Sequence, residues 1–232
     1  MKILQKLTKL LTDTCISLIL PFLNEKHKFS LIYKTGYWTS NPRNDSKSGG
    51  GSSLEATDNL RRELPKFLKE YSIHTMLDIP CGDFFWLSKI NLPVSEYFGA
   101  DIVEEMVLVN TRSHGSPNRK FIQLDLLQDS LPQCDFVMIR DCLVHLTNEQ
   151  IMTALNNILS SGSTYLATTH FDDCVDNIKS HETDRWRPLN LTKTPFNLPD
   201  PFVKLDDSSI QNPLDRQKKL GVWQVKDLKL LT

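Results

Sequence analysis

One segment constrains the fold more than any other: residues 76–86, with the sequence Met-Leu-Asp-Ile-Pro-Cys-Gly-Asp-Phe-Phe-Trp. Apolar residues lead to Asp78, and Gly82 follows within a few positions, so the pattern predicts a short strand, a tight turn and the start of a helix. A ligand can approach the backbone closely where such a strand ends. Suitably spaced acidic residues downstream would make the turn a site for a nucleotide-like cofactor. Without them it is an ordinary strand-to-helix connection.

Short apolar runs alternate with helical patterns along the rest of the chain. We predict a helix with Leu60, Leu64, Phe67 and Leu68 on one face, and further helices over residues 84–89, 104–110 and 148–159. Strands are predicted over residues 74–79, 97–101, 121–124, 135–139 and 164–169, with a last strand at 221–225. Short apolar strands that alternate with helices are typical of an α/β domain, in which helices cover both faces of a parallel sheet.

Three of the predicted strands end in an aspartate: Asp78, Asp101 and Asp125. In an open parallel sheet, ligands bind outside the carboxyl ends of the strands. Asp101 lies about 20 residues beyond the turn, where an acid can accept hydrogen bonds from both hydroxyls of a ribose. Asp125 can accept from an exocyclic amine, and the backbone amides near Cys81, Gly82 and Leu126 are further candidate contacts. Aspartates also end strands as helix caps or turn formers, but three at successive strand ends favour a site.

These residues resemble the class I S-adenosylmethionine-dependent methyltransferases. The first motif of that family corresponds to Leu77–Phe84, the second to Phe98–Met106 and the third to Gln123–Leu126. The fourth corresponds to the strand at 135–139 and the following Arg-Asp-Cys-Leu-Val-His-Leu. The form Asp-x-Pro-Cys-Gly-Asp-Phe, the Ser-Gly-x-Gly-Ser loop before it and the Gly-Val-Trp of the last strand are similar to a bacterial subgroup of these enzymes.

The resemblance implies a Rossmann-like, doubly wound sheet of about seven strands, mostly parallel with an antiparallel last strand. It implies S-adenosylmethionine as cofactor, with Asp101 on the ribose, Asp125 on the adenine amine and the turn at 80–83 on the methionine part. The loop Gly49–Ser52 would close over the same end, or it is a flexible linker. The expected cofactor-binding residues are Asp78, Pro80, Cys81, Gly82, Asp83, Asp101, Ile102, Asp125 and Leu126.

The first motif departs from the family pattern at two glycine positions, which hold Pro80 and Phe84. Proline fixes φ and lacks an N–H group, so the turn has to be one that needs neither freedom nor a donor there. Phe84 is expected either to crowd the site or to form an apolar wall beside the cofactor.

Methyl transfer to an oxygen or nitrogen that carries a proton calls for a general base. Asp141 and His145, with Arg140, follow the fourth strand, and His170 ends the fifth, so all are expected to face the crevice. An imidazole titrates near neutral pH, which makes His145 and His170 candidate bases. The alternatives are hydrogen-bonded core histidines, and an Asp141 that caps a turn or pairs with Arg140.

The sequence predicts the methyl acceptor less specifically than the cofactor. We expect a small-molecule or sugar-containing acceptor, because the net charge of −1 disfavours nucleic acid. Residues 171–217 hold little periodicity and are rich in Asp, Asn and Pro. The segments 184–191 and 195–202, with Trp186 and Arg187, would form a substrate lid or an arm that packs on the domain.

The first 45 residues are predicted to form a helical extension before a methyltransferase domain at 46–232. The apolar run at 10–23 follows Lys2, Lys6 and Lys9 and contains Asp13. It is too short to span a bilayer and predicts an amphipathic helix packed on the domain or on a partner, with weak membrane-surface contact as the alternative. The five scattered cysteines show no zinc spacing and predict neither metal nor disulfide framework, which favours the cytoplasm.

Two other classes of function remain open from the sequence. A Rossmann oxidoreductase that binds a nicotinamide nucleotide also uses a glycine turn and a distant acid, although the G-x-G-x-x-G fingerprint is broken here. A binding protein that keeps a methyltransferase fold without catalysis is the second. Neither the acceptor nor the oligomeric state is predicted.

Overall fold

Seven strands form one sheet at the centre of the chain. The computed structural model describes residues 11, 13–39, 46–177, 186–209, 215 and 217–229. The strands are β1 Thr75–Asp78, β2 Glu96–Asp101, β3 Arg119–Gln123, β4 Phe136–Ile139, β5 Tyr165–Phe171, β6 Val203–Asp206 and β7 Lys218–Gln224. Their spatial order is β3-β2-β1-β4-β5-β7-β6.

The sheet is parallel except at one strand. β1 pairs in parallel with β2 and β4, and the parallel pairing continues to β3 on one side and β5 on the other. β7 runs antiparallel between β5 and β6. The predicted fold class, a doubly wound sheet with an antiparallel last strand, is thus confirmed. The strand order reverses between β1 and β4, which is where an open α/β sheet forms its ligand crevice.

The α-helices whose bounds lie within the described residues are α1 Glu25–Thr35, α2 Asp58–Glu70, α3 Glu104–His114 and α4 Asn148–Ser160. Alternate residues of the strands enter two separate cores, as the period of a β-strand requires. Leu77 packs in the core that holds α4, and Met76 packs in the core that holds α2. The predicted apolar face of α2 is buried as expected.

Two elements differ from the prediction. The stretch predicted as a helix at 84–89 forms only the 3-10 turn Leu87–Lys89, because Gly82 and Phe84 both have a φ of 54° and interrupt helical geometry before it. β6 was not predicted. It is a four-residue edge strand in which only Leu205 is buried, so its sequence carries almost no periodic signal.

The described part of the predicted lid packs on the domain. Leu189, Leu191, Phe196 and Leu198 are buried in the same core as α4. Residues 186–209 thus follow the arm alternative, whereas residues 178–185 lie outside the described part of the chain.

Residues 13–19 are helical and lead into the 3-10 turn Leu20–Phe22. Ile16 and Leu20 are buried against Ile32 of α1. No helix within the described ranges has the length and apolar character needed to cross a membrane.

Candidate cofactor and acceptor cleft

A cleft opens at the carboxyl ends of β1, β2 and β4, at the reversal of strand order. Eight of the nine predicted cofactor-binding residues line it: Asp78, Pro80, Cys81, Gly82, Asp101, Ile102, Asp125 and Leu126. Asp141 and His145 line it as well. Asp83 and His170 do not.

Asp101 is held by the backbone on both sides. One carboxylate oxygen accepts the N–H of Gly82 at 3.1 Å, and the other accepts the N–H of Val103 at 2.9 Å. Burial raises the pKa of Asp101 to about 6, against the opposite effect of those backbone bonds. A carboxylate has about four acceptor positions, so this group can still accept two hydroxyls from the cleft.

Asp125 lies two residues after the neighbouring strand β3 and is also fixed by nearby groups. Its two oxygens accept the backbone N–H of Leu127 and the side-chain amide of Gln128, each at 2.9 Å. No described cation forms a salt bridge with either Asp101 or Asp125. Both acids thus present acceptor positions to the cleft that no cation among the described residues neutralises.

Asp78 forms a buried pair with the hydroxyl of Tyr97, which donates to it at 2.7 Å. Burial raises the pKa of Asp78 to about 7, although the bond from Tyr97 and the charge of Arg140 both act to lower it. Near neutral pH this carboxyl group is therefore present in both protonation states.

The turn after β1 uses its own amides internally. The N–H of Cys81 donates to the carbonyl of Ala100 at 2.8 Å, and that of Gly82 donates to Asp101. These two amides, predicted as candidate ligand contacts, thus already have hydrogen-bond partners within the protein. Their bonds fix the turn to the end of β2. The Ile79–Pro80 peptide within this turn is cis.

Asp83 lies outside the cleft and holds a loop. Its carboxylate accepts hydrogen bonds from the hydroxyl of Ser46 at 2.9 Å, the hydroxyl of Ser48 at 3.2 Å and the backbone N–H of Lys47. Ser48 itself lines the cleft. Asp83 therefore acts as a positioning residue for the loop at 46–48, rather than as the cofactor contact predicted from the motif.

Phe84 does not face the cleft. Its ring is buried, with centroids 5.2 Å from those of Tyr97 and Phe121. The two expectations for this position, crowding of the site and an apolar wall beside the cofactor, do not agree with a ring that packs in the core and does not line the cleft. Trp86 lines the cleft instead, with the guanidinium of Arg140 5.3 Å from its ring centroid.

Asp141 belongs to a buried network of four charges. Its carboxylate is 2.7 Å from Lys218 Nζ and 3.1 Å from Arg140 Nη1. Asp207 bridges the same two cations, at 2.9 Å from Arg140 Nη2 and 3.2 Å from Lys218 Nζ. Burial acts to raise the pKa of Asp141, but the charges of Lys218 and Arg140 outweigh burial and hold this pKa far below its ordinary range. Asp141 is therefore a weak proton acceptor.

The same network also holds the loop Gly49–Ser52, called the glycine loop below. Arg140 Nη2 donates to the carbonyl of Gly51 at 2.9 Å. Ser52, the last residue of the 3-10 turn Gly50–Ser52, lines the cleft. Of the two expectations for this loop, the structure favours the one in which it lies against the cleft.

The two histidines have different surroundings. His145 ends the 3-10 turn Leu143–His145, and its ring centroid lies 5.6 Å from that of Trp38. His170 is buried on β5, 3.1 Å from Asp172 and in edge contact with Trp223. Burial lowers the pKa of His170. We therefore leave His170 out of the candidate catalytic set.

One wall of the cleft comes from α1 and was missed by the sequence analysis. Glu25, Phe29 and Tyr33 of α1 and the nearby Trp38 line the cleft. One oxygen of Glu25 accepts from Lys28 and Gln150, at 3.0 and 3.1 Å. The other is buried without a hydrogen-bond partner among the described residues. The signal in the sequence was the i, i+4 spacing of Phe29 and Tyr33, followed by Trp38.

The described residues contain no cluster of His, Cys, Asp or Glu that could hold a metal ion. Cys81, at the turn, is buried, and burial raises the pKa of its thiol well above the ordinary value. The cleft therefore offers oxygen acceptors, aromatic rings and one imidazole.

Comparison with solved structures gives matches at low identity. The methyltransferase domain of bacterial CtHen1-C matches with a TM-score of 0.54 and 11% identity, over 73% of this chain and 98% of that one. The chain has the fold of a methyltransferase domain. Magnesium protoporphyrin IX methyltransferase (ChlM) from Synechocystis PCC 6803 with bound SAM matches with a TM-score of 0.48 and 16% identity, over 69% and 82% of the two chains.

A further match covers a smaller share of both chains. The chain spans 58% of the same ChlM protein with bound SAH, with a TM-score of 0.42, 16% identity and 52% of this chain covered. No protein-family model matches the chain, and no curated protein matches it.

Gly82 provides a direct test of the turn geometry in this methyltransferase fold. A Cβ at Gly82 would overlap Ser48 Oγ and lie 3.3 Å from the hydroxyl of Tyr33, at a φ of 54°. Gly162 also has a positive φ, 70°, but a Cβ there meets nothing nearer than Gln133 at 3.6 Å. We expect Gly162→Ala to cost about 1 kcal/mol of unfolding free energy from backbone strain alone. Gly82→Ala should cost about 2–4 kcal/mol, because the overlap adds to that strain.

Urea denaturation of the two variants measures the difference. Equal losses of stability would mean that Ser48 does not pack against the turn as described.

Proposed function

We propose that this protein is a methyltransferase that uses S-adenosylmethionine and acts on a small-molecule or sugar-containing acceptor. The observation that carries the proposal is the pair Asp101 and Asp125. These two carboxylates face one cleft from adjacent strands, and neither is neutralised by a described cation. Asp101 is buried, and a buried acid without a cation partner is costly, which favours a ligand that supplies hydrogen-bond donors to it.

The residues of the cleft fit this cofactor. Asp101 would accept from the ribose hydroxyls and Asp125 from the adenine amine, as the family resemblance implies. Ile102 and Leu126 supply apolar contact beside them. The turn at Pro80–Gly82 would hold the methionine part, with Asp78 next to it. When bound, S-adenosylmethionine would supply an electrophilic methyl group on a positively charged sulfur.

The wall formed by α1 suits the proposed acceptor. Phe29, Tyr33 and Trp38 offer ring faces, and the second oxygen of Glu25 offers a hydrogen-bond acceptor. Ring faces pack on the C–H face of a sugar or on another flat small molecule, while a carboxylate accepts from a hydroxyl or amine. This combination favours a compact acceptor that carries hydrogen-bond donors.

We assign the role of general base to His145. An oxygen or nitrogen that gains a methyl group has to release its proton, and the imidazole of His145, which lines the cleft, can take it. Asp141 cannot do so efficiently, because Lys218 and Arg140 hold its pKa far below the ordinary range and its carboxylate therefore binds a proton only weakly. Its carboxylate instead contributes negative charge near His145, which favours the imidazolium that proton transfer creates.

Calorimetric titration with S-adenosylmethionine tests the cofactor assignment. Ribose hydroxyls donate to the ionised form of Asp101, whose pKa is about 6. Binding should therefore be about tenfold weaker at pH 5 than at pH 8, the ratio expected for a ligand that requires the deprotonated acid. Asp101→Asn should bind at least about tenfold more weakly at pH 8 and show a smaller pH dependence.

The effect of pH on ligand binding can be distinguished from its effect on the free energy of unfolding. The pKa of Asp101 is raised on folding, so its ionisation lowers the stability of the free protein as the pH rises from about 4 to about 6. Protonation of Asp101 at pH 5 does not itself unfold the protein, and circular dichroism at pH 5 checks this.

NADH is the control ligand for the cofactor assignment. Tight binding of NADH without binding of S-adenosylmethionine would replace the proposal with an oxidoreductase.

Substitutions of His145 and His170 form a matched pair of variants that tests the general-base assignment. An acceptor that the wild type methylates is first found by measuring the release of S-adenosylhomocysteine over a panel of sugars, phenols and amines. With that acceptor, His145→Gln should lower kcat by about 10²–10⁴-fold. Affinity for S-adenosylmethionine should stay within about twofold. His170→Gln removes a buried contact away from the cleft, so it should reduce stability and leave kcat of the folded protein within about threefold. A larger kcat loss in His170→Gln than in His145→Gln would contradict this assignment.

A further inference from the structure

The N-terminal helical segment presents apolar side chains to solvent. Leu11, Leu18, Ile19 and Phe22 are 67%, 67%, 49% and 87% exposed. These are four of the eight large apolar side chains that are exposed in the described part of the chain, and they lie within residues 11–22. Residues 11, 18 and 22, with the exposed Cys15 between them, follow one another at spacings of three or four. They therefore share one side of the segment.

This side is distinct from the side that packs on the domain. Ile16 and Leu20 are 5% and 0% exposed, and they are buried against Ile32 of α1. The segment is therefore apolar on two sides, of which the domain covers one. A second apolar side of this size is not needed for folding, and exposed apolar clusters mark surfaces that bind something.

The net charge of the N-terminal residues indicates what binds to this exposed apolar side. Residues 1–39 contain six lysines and two acidic residues, a net charge of +4, whereas the whole chain has a net charge of −1. The remaining residues therefore carry −5. Lys2, Lys6 and Lys9, which are outside the described residues, precede the apolar side in the sequence. An apolar helix side next to a cluster of lysines is complementary to a bilayer surface that contains anionic lipids.

We propose that residues 11–22 dock this protein on the surface of an anionic membrane, with Leu11, Leu18, Ile19 and Phe22 inserted at the boundary between headgroups and acyl chains. The lysines at positions 2, 6 and 9 add attraction to the lipid charge. Two independent contributions, apolar insertion and charge, are what reversible surface binding requires. A second copy of the chain would also cover the apolar side, but it would bring together two N-terminal segments that carry the same positive net charge.

Vesicle co-sedimentation of the full chain tests the proposal. We expect binding to vesicles of phosphatidylcholine with 30 mol% phosphatidylglycerol, a composition of about one anionic lipid in three. Binding to phosphatidylcholine alone should be at least about tenfold weaker, and it should weaken on the mixed vesicles as salt is raised.

Three variants locate the surface. Leu18→Glu with Phe22→Glu should reduce partitioning to the mixed vesicles by at least about tenfold, because charged groups replace inserted ones. Val175→Glu is the matched control, since Val175 is 88% exposed in the loop after β5 and outside the segment. It should bind like the wild type. Replacing Lys2, Lys6 and Lys9 with Gln should weaken binding and flatten its salt dependence.

Several results would overturn the proposal. These are no binding to the mixed vesicles, equal binding to both vesicle types, or binding that Leu18→Glu with Phe22→Glu leaves unchanged. A concentration-dependent dimer that light scattering detects, and that the same double variant abolishes without any vesicle binding, would assign this surface to self-association instead. None of these measurements depends on methyl transfer.

Discussion

The site depends on one buried carboxylate. Asp101 ends β2, and its two oxygens accept the backbone N–H of Gly82 from the turn after β1 and the N–H of Val103 at the start of α3. These two bonds join the ends of neighbouring strands and leave acceptor positions directed to the cleft. Burial without a cation partner makes the group costly, which is why its pKa rises to about 6. A ligand with hydroxyl donors would offset that cost.

Other contacts build outward from this turn. Asp83 fixes the loop at 46–48, and Arg140 fixes the glycine loop through Gly51. The network of Arg140, Lys218, Asp141 and Asp207 connects the end of β4 to β7 and to the residues after β6. Each of these charges faces two partners of opposite sign or a backbone group, which is the condition under which buried ion pairs are tolerated. The cleft is thus assembled from segments that are far apart in the sequence.

Local features were predictable. Asp78, Asp101 and Asp125 each follow a short apolar run, and the carboxyl ends of parallel strands meet at one edge, so their convergence on the cleft followed from strand direction alone. The parallel sheet followed from the alternation of strands and helices. The antiparallel last strand came from the resemblance rather than from the residues.

Long-range features were not predictable. Asp83 holds side chains 35 to 37 residues earlier, a pairing that no local pattern encodes. The direction of His170 depends on strand parity: Thr169 accepts the N–H of Asp141, so the next residue turns away toward Trp223. Glu25 lines the cleft from α1, where it accepts a hydrogen bond from Gln150 of α4, which lies 125 residues later in the chain. That is a tertiary contact between segments whose sequences are merely amphipathic.

The most direct test of the central claim is a crystal structure of the protein with S-adenosylhomocysteine. The account predicts ribose hydroxyls within hydrogen-bond distance of the Asp101 carboxylate, the adenine amine near Asp125, and Phe29, Tyr33 and Trp38 around the sulfur end of the cleft. A complex in which the ligand lies away from Asp101, or a protein that binds no ligand at saturating concentration while its fold is unchanged, would contradict it.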